Sequence, residues 1–312
     1  MKIARFEAEA GGGERLGIVV SHDGDHKLLD VLETAERTGG EAPRTMLELM
    51  AAEERGLDGL RVGLDWFAAN QDPACVRPFG GIRWLTPVPP RSFIAAGRNF
   101  GKHQLESIRG NPQAGAAFHA DFPTGFVKLG RTLVPHMAEV RRPPDVRQMD
   151  YEVEVAVVVG QNIERASSAQ ARAAIFGYTV FNDLSAREWQ LAEMRNQLLM
   201  QGKNFPGFGP VDPWILTADE VPDPSRLELK LEVNGKLRQH DDCRDMIFSF
   251  EELVEFWSKT GLQAGDLIGS GTPEGVALRR QPDPEPFFLK PGDVVRASVE
   301  QIGVLENRIV EA

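Results

Sequence analysis

The chain has 312 residues, enough for one large domain or a large domain with a smaller partner. Its 46 Asp and Glu outnumber 35 Lys and Arg, and the formal charge of -11 excludes the basic signature of nucleic-acid binding or of an anionic membrane surface. No apolar run reaches membrane-spanning length and residues 1–7 carry no signal-peptide core, so a cytoplasmic location is expected; Cys75 and Cys243 form neither a disulfide framework nor a CxxC pair and read as free thiols.

Residues 1–85 read as a small α+β module, with short strands at 2–7, 15–20 and 27–31 joined by Gly-rich and Asp/Gly turns and helical sequence near 45–54. Gly11-Gly12-Gly13 is too plain for a nucleotide loop. Pro87, Pro89 and Pro90 mark a linker into a larger domain, 86–312. A strand at 92–96 leads into a segment where His103 and Glu106 stand three apart, which on a helical turn puts them on one face. A carboxylate beside an imidazole fixes its tautomer and raises its basicity, the way a general base is built; an ordinary surface contact satisfies the same spacing. Residues 111–125, rich in Ala, Gly and Pro, read as a mobile loop able to cover a site, and 126–128 return to strand.

The run 150–160 is rich in β-branched residues and predicts a strand, on which Glu152 and Glu154, two apart, project from the same face. Beyond Glu154 it is almost wholly apolar, as in a strand covered on both faces, so the two carboxylates open into a cleft at its end and need a counter-charge. Residues 167–176 predict a helix ended by Gly177, and 178–183 a second strand with Asp183 at its C-terminal end. Three carboxylates on neighbouring strand ends make an all-oxygen site suited to Mg2+, Mn2+ or Ca2+ rather than zinc. The same spacing also fits Glu152 and Glu154 on the wet face of an edge strand, with Asp183 capping a helix over 185–200.

On that helix Arg187 and Gln190 share a face and could meet the same cleft, Arg187 as a clamp for a substrate carboxylate. Lys203 opens a loop dense in Gly and Pro, where a fixed cation could sit against an enolate or carboxylate oxygen. Residues 226–233 alternate at period two and meet Asn234-Gly235, the strongest hairpin signal in the chain. Ser249-Phe250-Glu251-Glu252 has capping-box form and starts a helix to Lys259, closed by Gly261. A strand at 264–268 runs into a Gly-rich loop in which Thr272 offers a hydroxyl to a carboxylate, and two more strands close the chain over 292–310.

Together these stretches resemble the fumarylacetoacetate hydrolase family. The resemblance rests on Asn99-Phe100-x-x-His103-x-x-Glu106, Phe126-x-Lys128, Asp150-Tyr151-Glu152-x-Glu154 and the run from Gly177 to Arg187. It continues through Gly202-Lys203-Asn204-Phe205, Val233-Asn234-Gly235 and the run from Gly271 to Val276, in order from about Pro87 to the C-terminus. It implies an α+β, β-rich fold: a mixed β-sheet roll with flanking helices, a small N-terminal α+β domain, and a homodimer joined through the large domain. It further implies Mg2+ or Mn2+ on Glu152, Glu154 and Asp183, with no organic cofactor, and water activated by His103 and Glu106. Lys203 would stabilise developing charge, and Arg187, Gln190 and Thr272 would contact substrate. The chain departs from the family at Asp212-Pro213, where many members carry Gly-Pro, and in the long segment between Glu106 and Phe126.

The activity expected on this basis is metal-dependent hydrolytic C-C cleavage of an acylpyruvate-like 1,3-diketo acid in aromatic-compound catabolism. The alternatives within the family are decarboxylation of an oxaloacetate-type 2-oxo diacid and isomerisation or hydration of a 2-hydroxydienoate. A metal-binding structural or regulatory protein would have lost a motif residue, and none is missing; EF-hand spacing is absent as well.

Overall fold

The computed structural model describes residues 1–9, 11–89, 91–109 and 121–312. Most of the stretch expected to act as a mobile cover, and Pro90 of the expected linker, lie outside the described residues. The strands in chain order are β1 (Lys2–Glu7), β2 (Arg15–His22), β3 (Asp25–Asp30), β4 (Val76–Pro78), β5 (Arg83–Leu85), β6 (Phe93–Ala96) and β7 (Gly125–Lys128). They continue as β8 (Leu133–Val134), β9 (Glu139–Arg142), β10 (Met149–Asp150), β11 (Val153–Val159), β12 (Ile175–Asn182), β13 (Ser185–Ala186) and β14 (Gly209–Pro210). The last six are β15 (Ile215–Thr217), β16 (Glu228–Val233), β17 (Lys236–Asp242), β18 (Leu267–Gly269), β19 (Val294–Val299) and β20 (Gly303–Glu311). The α-helices are α1 (Val31–Thr38), α2 (Met46–Ala51), α3 (Glu53–Asn70), α4 (Gly101–Arg109), α5 (Ser168–Ala173), α6 (Arg187–Arg195) and α7 (Phe250–Trp257).

Among the described residues eleven strands form one sheet, ordered β4-β3-β2-β1-β15-β12-β11-β18-β6-β7 with β5 also on β1, and five form another, ordered β17-β16-β19-β20-β9. Parallel pairs β18/β6 and β20/β9 among antiparallel neighbours make both sheets mixed, in the strand-rich α+β class expected. The pairing of Lys2 with Leu216 and Ile3 with Ile215 carries the large sheet across from 1–85 into 86–312.

β11 sits at the centre because every one of its residues is buried. Val153, Val155, Val157 and Val159 enter one core with the inner face of β16 and β19, while Ala156 and Val158 enter a second core shared with the N-terminal strands and α2. A strand with an apolar residue on each face has two cores to pack against, and this fixes which way Glu154 points. The strand is shorter than the sequence suggests. Met149 and Asp150 pair with Ser185 and Ala186 in a separate ladder, and the N–H of Glu152 goes to the Asn182 side chain, so regular pairing starts at Val153. Gly177 does not end a helix: α5 stops at Ala173, and Gly177 lies inside β12 opposite Val158 and Thr217. A Cβ there would lie 2.3 Å from the carbonyl oxygen of Leu216, so the close approach of β15 demands glycine.

Other local signals behave as their chemistry requires. Asn234 and Gly235 both take positive φ (51° and 72°), the two-residue turn that joins β16 to β17, and Leu229, Leu231 and Val233 fill the core from one face of β16. Ser249 and Glu252 exchange reciprocal hydrogen bonds at the start of α7. No helix among the described residues is long and apolar enough to cross a membrane.

His136 joins distant parts of the chain. Its ring meets Trp84 edge-on at 5.3 Å, and its Nδ1 accepts the N–H of Glu306 at 3.1 Å, which requires the neutral imidazole. Burial, with a smaller contribution from Arg296, lowers its pKa to about 4. A histidine lowered from its ordinary value near 6.5 stabilises the fold above that value and loses its contribution as pH falls toward 4. Buried Asp212, whose carboxyl is raised by its own burial, works in the opposite direction, so the comparison must be with a variant. His136→Gln should flatten the fall in urea-unfolding free energy between pH 7 and pH 4.5, by up to about 3 kcal/mol. An unchanged pH profile would show that His136 does not govern acid stability.

Candidate active site

The antiparallel register places Val153 opposite Asn182 and Glu154 opposite Phe181, and the N–H of Asp183 donates to the carbonyl of Glu152 at 2.8 Å. Glu152, Glu154 and Asp183 therefore converge where β11 and β12 meet, all buried, each offering a carboxylate oxygen within 4.8 Å of the others. This is the cleft at the end of a buried strand, not the wet face of an edge strand.

Cations reach the triad from three directions. Lys203 Nζ donates to Glu152 Oε2 and Asp183 Oδ2, each at 2.6 Å. Arg187, at the start of α6, donates from Nη2 to Glu152 Oε1 and from Nε to Asp150 Oδ2, both at 2.7 Å, and from Nη1 to Gln190 Oε1 at 2.7 Å. Lys128, at the end of β7, donates to Asp183 Oδ1 at 2.8 Å and to the carbonyls of Phe208 and Lys203, pinning the loop that carries Lys203. Glu154 has only the N–H of Gly271 at 3.1 Å, with no cation within ion-pair distance among the described residues.

This asymmetry splits the two glutamates. Burial alone would raise both. For Glu152 that push is overcome by Lys203 and Arg187, which bring its pKa down to about 2. For Glu154 burial is reinforced by the charges of Asp183 and Glu152, and its carboxyl lies well above the usual range. The protein's own groups thus leave the triad short of positive charge at Glu154. A hard divalent cation on three carboxylate oxygens supplies it, so the residues present fit such an ion.

One wall of the same cavity, of about 490 Å³, carries His103. On α4, His103 Nδ1 lies 3.1 Å from Glu106 Oε2, and Glu106 Oε1 accepts the N–H of Gly275 at 3.0 Å. Both side chains are mostly shielded, and Nε2 of His103 has no partner among the described residues. Asn99 holds the turn before α4, exchanging hydrogen bonds with Phe248 and donating to the carbonyl of Ser270. Thr272 lines the cavity, but its hydroxyl donates to the Val153 carbonyl at 3.0 Å and accepts from Gln239 Nε2 at 2.9 Å. Its proton is already committed within the protein.

All nine expected residues thus gather around one cavity, with Asp183 and Glu106 set behind its lining. The sequence reading gave no role to Lys128, Asp150, Gln239 or Arg279. Lys128 and Asp150 stood inside the quoted motifs, but their distant partners lie 37 to 128 residues away along the chain. Asp150 is fully buried and its carboxylate also accepts the N–H groups of Ala277 and Leu278, at 2.7 and 2.9 Å.

The fumarylacetoacetate (FAA) hydrolase C-terminal family profile matches residues 92–310. A mitochondrial oxaloacetate tautomerase of Bos taurus is 33% identical over 312 residues, covering 99% of this chain and 92% of its own. Among solved structures, fumarylacetoacetate hydrolase from the psychrophile Exiguobacterium antarcticum superposes over the whole of both chains with a TM-score of 0.75 at 28% identity. Maleylpyruvate hydrolase from Sphingobium sp. SYK-6, solved with manganese(II) and pyruvate, does so with a TM-score of 0.73 at 26% identity. On the fold, the carboxylate triad and the length of these matches, the chain belongs to the fumarylacetoacetate hydrolase family.

Proposed function

We propose that this chain is a divalent-metal-dependent enzyme that enolises a 2-oxo diacid of the oxaloacetate type, interconverting its keto and enol forms. The observation that carries this reading is one cavity holding both a carboxylate triad threaded by Lys203 and a histidine whose Nε2 has no partner among the described residues. Glu152, Glu154 and Asp183 would hold Mg2+ or Mn2+, which when bound would supply Lewis-acid chemistry. His103, fixed through Nδ1 by Glu106, takes the proton from the carbon next to the carbonyl, and the electron pair moves onto the 2-oxo oxygen. Lys203 stabilises the charge that develops there, and proton return to oxygen completes the enol. Arg187 holds the Glu152 carboxylate in place on the side opposite Lys203.

Hydrolytic cleavage of an acylpyruvate, the activity expected first from the sequence, takes second place because a relative matching 99% of the chain is named a tautomerase. It keeps support from the His103–Glu106 pair, which suits water activation, and from the maleylpyruvate hydrolase neighbour. Decarboxylation of the same diacid shares the enolate and differs only in which bond to that carbon breaks.

The two are separated with EDTA-treated protein refilled with Mg2+ or Mn2+. Metal-dependent acceleration of enol-to-keto relaxation of oxaloacetate, followed by ultraviolet absorbance, is the expected result. Release of pyruvate and the matching acid from fumarylpyruvate or acetylpyruvate, without that acceleration, would replace it with the hydrolase reading; CO2 release from oxaloacetate would identify a decarboxylase. The reading includes a homodimer, for which the exposed Trp189, Leu191, Met194 and Leu198 on and just after α6 offer apolar surface, and light scattering gives the mass. It also includes a reducing compartment, cytoplasm or mitochondrial matrix, in keeping with the buried free thiols of Cys75 and Cys243.

A further inference from the structure

Several basic side chains lie in or beside the cavity, and they differ in what each one's charge faces. Lys203 is met by Glu152 and Asp183, Lys128 by Asp183, and Arg187 by Asp150 and Glu152. Arg279 is different. It lines the cavity half-buried, and among the described residues it has neither a carboxylate within 4.0 Å nor a hydrogen-bond acceptor. Burial lowers its pKa, and the nearby charges of Arg187 and Arg98 lower it further; Glu106 and Asp150 attract it only from a distance. A guanidinium stays charged under such pressure, so the cavity holds a partly dehydrated cation that no described group pairs with directly.

Its placement is rigid. Arg279 ends the short helical turn Ala277–Arg279, and the Asp150 carboxylate accepts the N–H groups of Ala277 and Leu278 from that turn. The same carboxylate takes Nε of Arg187. One buried aspartate therefore fixes the turn that carries Arg279 to the guanidinium that braces the triad.

We propose that Arg279 binds the second carboxylate of the substrate, the one remote from the 2-oxo acid end, and so selects diacids over 2-oxo monoacids. This rests on the reading that the triad, Lys203 and His103 process a 2-oxo acid. With that end at the triad, a carboxylate at the other end gives Arg279 a partner matched to its planar fork. A monoacid leaves the guanidinium dehydrated and unpaired, and a site with an unmet polar group discriminates strongly.

The test compares wild type, Arg279→Gln and Arg279→Lys in metal-loaded protein. Oxaloacetate is the diacid substrate, and oxalate, a two-carbon chelator too short to span from the triad to the far carboxylate position, is a competitive inhibitor. Arg279→Gln is expected to raise KM for oxaloacetate roughly 10- to 100-fold, the scale of one charge-assisted hydrogen-bonded pair, while kcat and inhibition by oxalate stay close to wild type. Arg279→Lys should recover part of the loss. An unchanged KM for oxaloacetate, or an equal loss for oxaloacetate and oxalate, overturns the assignment while leaving the enolisation reading intact. Wild-type protein inactive on oxaloacetate overturns that reading, and the assignment with it.

Discussion

Glu154→Gln protein is expected to be as stable as wild type without metal, yet to gain nothing when Mg2+ or Mn2+ is added. Glu154 has no cation partner among the described residues and receives one backbone N–H, and burial together with Asp183 and Glu152 pushes its carboxyl well above the usual range. Replacing it by an amide of the same shape breaks no ion pair among the described residues, so the unfolding free energy of the metal-free protein should change far less than in a variant that strands a buried cation. The ion, however, needs the anion. Wild-type protein at a hundredfold excess of ion over Kd should gain about 2.7 kcal/mol, and the variant should show neither that gain nor a calorimetric binding signal. Activity should fall by more than the roughly 10- to 100-fold typical of losing a group that merely orients a metal ligand. Asp183→Asn makes the contrast, because it also strips Lys128 and Lys203 of a buried partner and should destabilise the metal-free protein by about 3–5 kcal/mol. Full metal-dependent stabilisation in Glu154→Gln would remove Glu154 from the ligand set.

How much of this was legible beforehand depends on how local each determinant is. The period of two over 152–154 put Glu152 and Glu154 on one side, although β11 itself starts only at Val153, and the three-residue step on α4 put His103 against Glu106; both needed only a few adjacent residues. The Asn234-Gly235 turn and the Ser249 capping box were readable for the same reason. Gly177 was misread because Ala-rich sequence before a glycine looks like a helix end, whereas the reason for glycine lies on β15, in the carbonyl of Leu216. The union of β1 with β15, which carries the N-terminal strands into the catalytic sheet, leaves no periodic trace. Lys128 and Arg279 went unassigned because a lone basic residue in sequence does not reveal whether a carboxylate from elsewhere will meet it. Lys128 is met by Asp183; Arg279 meets no carboxylate among the described residues.

His103→Ala should lower turnover by roughly 10²- to 10⁴-fold, the usual contribution of a positioned general base, and leave divalent-ion binding unchanged. The two effects separate because His103 belongs to a different part of the hydrogen-bond network: its Nδ1 is joined to Glu106, and Glu106 to the N–H of Gly275, with no shared bond to Glu152, Glu154 or Asp183 among the described residues. Glu106→Gln should cost less. The amide can still accept from Nδ1–H and hold the ring, but it no longer places a negative charge beside the imidazolium formed when the proton is taken. If His103 removes a carbon-bound proton, substrate deuterated at the position next to the carbonyl should show a primary isotope effect in wild type. In His103→Ala added imidazole should restore part of the rate, because it supplies the missing base without its tether. Loss of the ion in His103→Ala would place the imidazole among the ligands instead, and full activity would mean that another group moves the proton.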